Sequence, residues 1–179
     1  VIMVQRLVFW SMIPMNLLCV GWVWIGRAFF GVGGWMFIVL LALVPILLLA
    51  LTLTTALVFV QQLPYERGRI TLGQAIAQTI VWAAMIGFGA FLVDYGDAPE
   101  SDASVLTEIV GRTDSTLRVS SQASALCAVV FIGAYVWLLV LLIIGTKNRP
   151  RLAAKAGQYG PFAANPGPPP PGPPPPPWA

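Results

Sequence analysis

Histidine is absent from the 179 residues, lysine occurs only at Lys147 and Lys155, and charged residues make up 9% of the chain. Without histidine the chain lacks the commonest metal and haem ligand and the usual proton carrier near neutral pH. Ser115, Ser120, Ser121 and Ser124 therefore have no imidazole to activate them, which excludes a serine hydrolase of the usual kind. Cys19 and Cys127 both fall inside apolar runs. Two cysteines are too few for a disulfide framework or a tetrahedral zinc site, and they read as small buried thiols. No catalytic, cofactor-binding or metal-ligating set is predicted.

What the chain has instead is apolar surface. Hydrophobic residues make up 58% of it, whereas an ordinary soluble domain is about a quarter charged. That surface needs lipid or a large partner to cover it. The net charge of +3 does not point to nucleic acid, because the basic residues lie beside apolar runs rather than in one patch. Eight arginines to two lysines, with abundant Ala, Gly, Val and Pro, is the bias of a GC-rich genome, and Val1 fits a GUG start and a processed N-terminus equally well.

Four uncharged runs predict an all-α integral membrane protein. The first spans 7–26, and twenty helical residues at about 1.5 Å each match a hydrocarbon core of about 30 Å. Arg6 and Arg27 mark its ends. A cleaved signal peptide competes with this reading. No small-x-small site follows, however, and Trp22, Trp24 and Arg27 crowd the place where cleavage would fall. Gly31, Gly33 and Gly34 make a short turn into the second run, 35–60, whose straight length of about 39 Å requires tilt or a bend at Pro45. The third run covers 70–93 and the fourth 123–145. Residues 1–146 form the membrane domain, and 147–179 are a basic, then proline-rich tail.

Charge is sorted by sign between these runs. Six of the seven acidic residues (Asp94, Asp97, Glu100, Asp102, Glu108 and Asp114) lie in the loop 94–122. With the N-terminus inside, the inner segments carry seven cations: Arg6, Arg67, Arg69, Lys147, Arg149, Arg151 and Lys155. The outer segments carry three, Arg27, Arg112 and Arg118. The positive-inside rule then places both termini in the cytoplasm and the acidic loop in the periplasm of a bacterial inner membrane. Trp10, Trp22, Trp24, Trp35 and Tyr65 near the span ends fit an interfacial aromatic belt.

Inside the spans the polar residues are few. Pro14 and Asn16 either frame an unwound, substrate-holding segment or give a mild kink and an interhelical hydrogen bond, and the second reading is preferred. Thr52, Thr54 and Thr55 are expected to bond back to their own helix. Gln74 and Gln78, one turn apart, suit a quinone headgroup, a partner helix or simply an interfacial collar, with the collar preferred. Gly73 with Ala77, and Ala83 with Gly87, are spaced for close helix packing, within the bundle or against another subunit. In the acidic loop, Val105, Leu106, Ile109 and Val110 fall on one side of a short helix capped by Ser101 or Asp97 and ended by Gly111, suited to docking on a neighbour or the outer bilayer surface. Calcium binding is disfavoured, because the carboxylate spacing is not that of a calcium loop.

In the tail, PFAANPGPPPPGPPPPPWA from Pro161, the proline repeats lack backbone donors and favour an extended or disordered arm, with Trp178 as a candidate terminal anchor for a partner groove.

This layout, with the run Trp35–Val60 and the tail GPPPPGPPPPPWA, resembles the accessory subunits of the actinobacterial (mycobacterial) cytochrome bcc–aa3 respiratory supercomplex. The resemblance implies a non-catalytic subunit without cofactors, packed against oxidase and cytochrome bcc subunits and lipid, with the redox centres on other chains. Two other functions compete: a scaffold recruiting cytoplasmic proteins through the proline arm, and a small transporter using Asn16, Gln74 and Gln78.

Overall fold

The computed structural model describes residues 2–62, 70–94 and 102–158. It contains α1 (Ile2–Trp24), a 3-10 turn (Gly26–Phe30), α2 (Trp35–Gln62), α3 (Leu72–Phe91), α4 (Val105–Val110) and α5 (Asp114–Gln158). Four helices, all but α4, are long and apolar enough to cross a membrane. Residues Val1–Thr146 form one compact unit and Lys147–Ala179 a second. The described residues of the second, 147–158, are helical. The polyproline segment, Trp178 included, lies outside the described residues, as do Pro64, Arg67, Arg69, Asp97 and Glu100.

Several expected boundaries move. The loop 94–122 shortens, because α5 begins at Asp114 rather than 123. Thr113 explains that start: its hydroxyl accepts from Thr116 N at 3.1 Å, and Leu117 N donates to Thr113 O. A polar sequence thus forms extra helical turns once its first N–H groups are capped. Helix α1 ends at Trp24 instead of 26, and its N-terminus extends back to Ile2. Helix α3 starts at Leu72 instead of 70, because Thr71 and Gln74 form a capping box there. Segment 147–158, expected as tail, is helix. Both Pro14 and Pro45 sit inside continuous helices. A membrane helix tolerates such a proline where neighbouring helices cover it.

The four long helices bury themselves unequally. Half of the span-length window of α3 is buried and 39% of that of α1, against 11% for α2 and 17% for α5. Composition predicts this: α3 carries the small residues that admit close neighbours, while more than half of α2 is Leu, Val and Ile. The core accordingly gathers Met12, Cys19 and Val23 of α1, Ala77 and Val81 of α3, Leu51 and Val58 of α2, and Leu138 and Leu142 of α5.

Candidate functional site

Helix α3 carries the residues that tie the bundle together, and three polar clusters do so at successive depths. In the middle, Asn16 of α1 joins three helices. Its Nδ2 donates to Thr55 Oγ1 of α2 at 3.0 Å, and its Oδ1 accepts from Gln78 Nε2 at 3.2 Å and Trp82 Nε1 at 2.7 Å, both on α3. All four side chains are buried. Thr55 and Thr54 each donate back to Leu51 O, at 2.8 and 2.9 Å, as expected of hydroxyls in apolar helices. Asn16 is thus an interhelical hydrogen-bonding residue in an unbroken helix, and α1 has no unwound segment at Pro14. Gln78 Oε1 is buried without a partner among the described residues.

The second cluster lies at the end where α2 leads into α3. Gln74 closes the capping box on Thr71 and donates to Gln61 Oε1 at 2.9 Å. The Gln61 amide in turn donates to Leu142 O and to Thr146 Oγ1 of α5. A Cβ at Gly145 would lie 2.6 Å from Gln61 Nε2, so the glycine makes room for this amide. Gln74 and Gln78 therefore belong to different clusters, and both are spent on helix contacts. Sequence alone reads Gln61 only as part of the turn after α2.

The third cluster closes the opposite end, and the sequence reading missed it. Arg27, counted among the outer-segment cations, is 2% exposed. Its Nη2 donates to Leu92 O at 2.7 Å and lies 3.8 Å from Asp94 Oδ2. The Asp94 carboxylate accepts from Gly34 N and Met36 N, both at 2.9 Å, so it also caps the start of α2. Asp94 further pairs backbone to backbone with Ala103 as an isolated antiparallel bridge. One residue thereby links the α1–α2 turn through its carboxylate and the segment before α4 through its backbone, at the end of α3. Burial lowers the Arg27 pKa from its ordinary value, and the nearby Asp94 charge opposes that shift. The available signal was topological: an up-and-down bundle brings the residue after the first span and the residue after the third to the same end.

The packing residues divide. Ala77 is fully buried. A Cβ at Gly73 would meet Leu141 Cδ1 at 3.3 Å, and one at Gly87 would meet Cys127 Sγ at 2.8 Å, so both face α5 of the same chain. Ala83 is exposed. Gly89 makes the tightest approach to α1, where a Cβ would lie 2.7 Å from Trp22 Nε1 and 3.3 Å from Val23 Cα. That space lets the Trp22 indole donate to Ile86 O at 3.0 Å.

Helix α4 is capped by Ser104, whose side chain accepts from Thr107 N at 3.2 Å, rather than by Ser101 or Asp97; Gly111 follows its end with φ 108°. Ser120 of α5 binds this cap: its hydroxyl donates to Phe91 O at 2.7 Å, and Ser104 Oγ lies 2.7 Å from Ser120 Oγ, which is free to accept from it. The expected docking face splits. Val105 is buried with Val32 and Ala103, Leu106 is half-buried, and only Ile109 and Val110 are exposed. Beside them Arg112 pairs with Glu108 one turn away.

The arrangement holds helices together; Asp94 also lines a cavity of about 230 Å³ with Gly31, Gly33, Gly34 and Arg112, and Asn16 and Thr55 line a largely apolar one of about 240 Å³. No family model, curated protein or solved structure matches the chain.

Proposed function

We propose that this chain is a non-catalytic subunit of a bacterial inner-membrane assembly, the oxidase part of a respiratory supercomplex, acting by helix packing and docking. One observation carries the reading. Asn16, Gln74 and Gln78, the side chains best suited to hold a substrate, are each committed to bonds with neighbouring helices or a helix cap. A transported solute would have to break bonds that hold α1, α2 and α3 together. Meanwhile α2 and α5 turn most of their apolar surface outward, with Ile38, Ile46 and Leu49 of α2 and Leu126, Val129 and Ile132 of α5 all more than half exposed. That surface suits lipid and the helices of other subunits. Exposed Ile109 and Val110 on α4 offer a second contact beyond the membrane span.

Both termini lie in the cytoplasm in this reading. The count of seven cations in the inner segments against three in the outer ones supports that orientation.

Extraction of a chain tagged at its C-terminus in mild detergent, followed by mass spectrometry and a haem spectrum of the eluate, tests the proposal. Co-purifying oxidase and cytochrome bcc subunits with haem absorbance are expected. A tagged chain that elutes alone and free of haem, or that turns over a substrate by itself, would refute it.

A further inference from the structure

Between α2 and α5 lies a cavity of about 310 Å³, walled by Leu43, Leu47 and Ala50 on one side and Phe131 and Tyr135 on the other, with Met85 of α3 at its floor. Its walls present no polar surface. Leu43 and Ala50 stand about 12 and 22 Å along α2 from Trp35, so the cavity straddles the middle of a hydrocarbon core of about 30 Å. At the far end α2 and α5 are held together, where Tyr135 Oη donates to Ala50 O at 2.9 Å and the Gln61 amide donates to Leu142 O. The gap is therefore a wedge closed on that side, and Val23 of α1, Leu43 of α2 and Phe88 of α3, which complete its lining, lie toward the α4 end of their helices.

We propose that this wedge holds one acyl chain of a phospholipid from the leaflet on the α4 side. Water does not suit it, because a buried water needs two to four polar partners and the walls offer none. An empty space of this size would forfeit the dispersion contacts of its whole lining. A partner helix, about 10–12 Å across with its side chains, can lie over the mouth but is too wide to fill the space. A hydrocarbon chain is narrow, flexible and present at the highest local concentration of any apolar group in the bilayer. The inference rests on the membrane-spanning fold alone and does not depend on the subunit assignment.

Native mass spectrometry of the full chain released from mild detergent reads the occupant directly. The wild-type chain is expected to retain one diacyl phospholipid. Ala128→Phe and Leu47→Phe, which fill the wedge from opposite walls, should each weaken retention roughly tenfold, what losing about two buried methylenes of chain contact costs. Ile143→Phe, on α5 outside the wedge, should retain lipid as the wild type does. Thermal unfolding of each variant shows which of the two filled walls folds normally, and the comparison is made on that one. A wild-type chain without bound phospholipid, equal retention in the filled variant, or an isoprenoid mass in place of a diacyl lipid would overturn the proposal.

Discussion

Replacing Asp94 with asparagine should damage this protein more than any other single substitution at its α4 end. Arg27 and Asp94 lie 3.8 Å apart and are 2% and 3% exposed. At an effective dielectric of about 20 their attraction is roughly 4 kcal/mol. The substituted amide would keep one acceptor for Gly34 N or Met36 N but would leave a guanidinium buried without a counter-charge. Arginine cannot discharge by losing its proton, and Arg27 Nε already lacks a partner among the described residues. Breaking a buried pair from one side costs about 3–5 kcal/mol, so Asp94→Asn should fall in that range. Arg27→Leu should cost less, about 2 kcal/mol, because the carboxylate keeps its two backbone donors. The double variant should be less destabilised than the sum of the single ones by at least about 2 kcal/mol. Unfolding in mixed micelles by SDS titration, followed by tryptophan fluorescence, measures all four corners of the cycle. A buried pair is little screened, so the coupling should persist up to about 1 M salt. Additive effects within about 0.5 kcal/mol would sink the argument, as would a coupling that salt abolishes.

Asn16→Leu should lower stability by about 2 kcal/mol, three interhelical bonds at the roughly 0.6 kcal/mol each that membrane interiors return, without preventing insertion. The same titration checks it, and a loss of insertion would mean that the cluster is needed before the helices pack. Gly89→Ala should destabilise by about 1–3 kcal/mol, because its Cβ has backbone as well as the Trp22 indole in its way, whereas Ala83→Leu should leave folding unchanged. Equal thermal midpoints for these two variants would contradict the packing described. For orientation, cysteines introduced at Asp102 and Lys155 should react with an impermeant maleimide from opposite sides of the membrane, Asp102 from the periplasm. Labelling of both from one side would overturn the four-span topology.

The long helices were legible because an uncharged run of twenty or more residues has few alternatives to a span. Their boundaries were less so. Asp114 to Gln122 reads as loop by polarity, yet Thr113 and Thr116 supply local caps that outweigh it. The polar clusters were legible by residue but not by partner. Asn16 was visible as a residue needing a bond, but nothing in the spacing says that Trp82 and Thr55 provide it. Arg27 and Asp94 were both seen, one as the end of the first span and the other as part of the acidic loop, with nothing to pair them. Only the three-dimensional return of α3 to the end of α1 joins residues 67 positions apart.

The small-residue stripe on α3 changes meaning once those partners are known. Read alone, Gly73, Ala77, Ala83 and Gly87 are equally good for a neighbouring subunit and for the chain's own bundle. Gly73 and Gly87 meet Leu141 and Cys127 of α5, and Ala77 is enclosed, so three of the four are already occupied. Gly87→Leu should therefore act first on the bundle itself, loosening α3 from α5, and any loss of partners would follow from that. The surface left for association is the outward apolar face of α2 and α5, with Leu7, Trp10, Leu17 and Leu18 of α1 beside it and Ala83 as the one open position of the stripe. A bulky residue at Ala83 that leaves unfolding unchanged but strips partners from the tagged chain would place the intersubunit contact on α3. The opposite result, retained partners with Ala83→Leu and lost partners with Leu49→Asn or Val129→Asn, would place it on α2 or α5. Leu49 and Val129 are 75% and 67% exposed, so neither substitution disturbs the core; an amide facing lipid is costly, so association is read on variants that insert at the wild-type level.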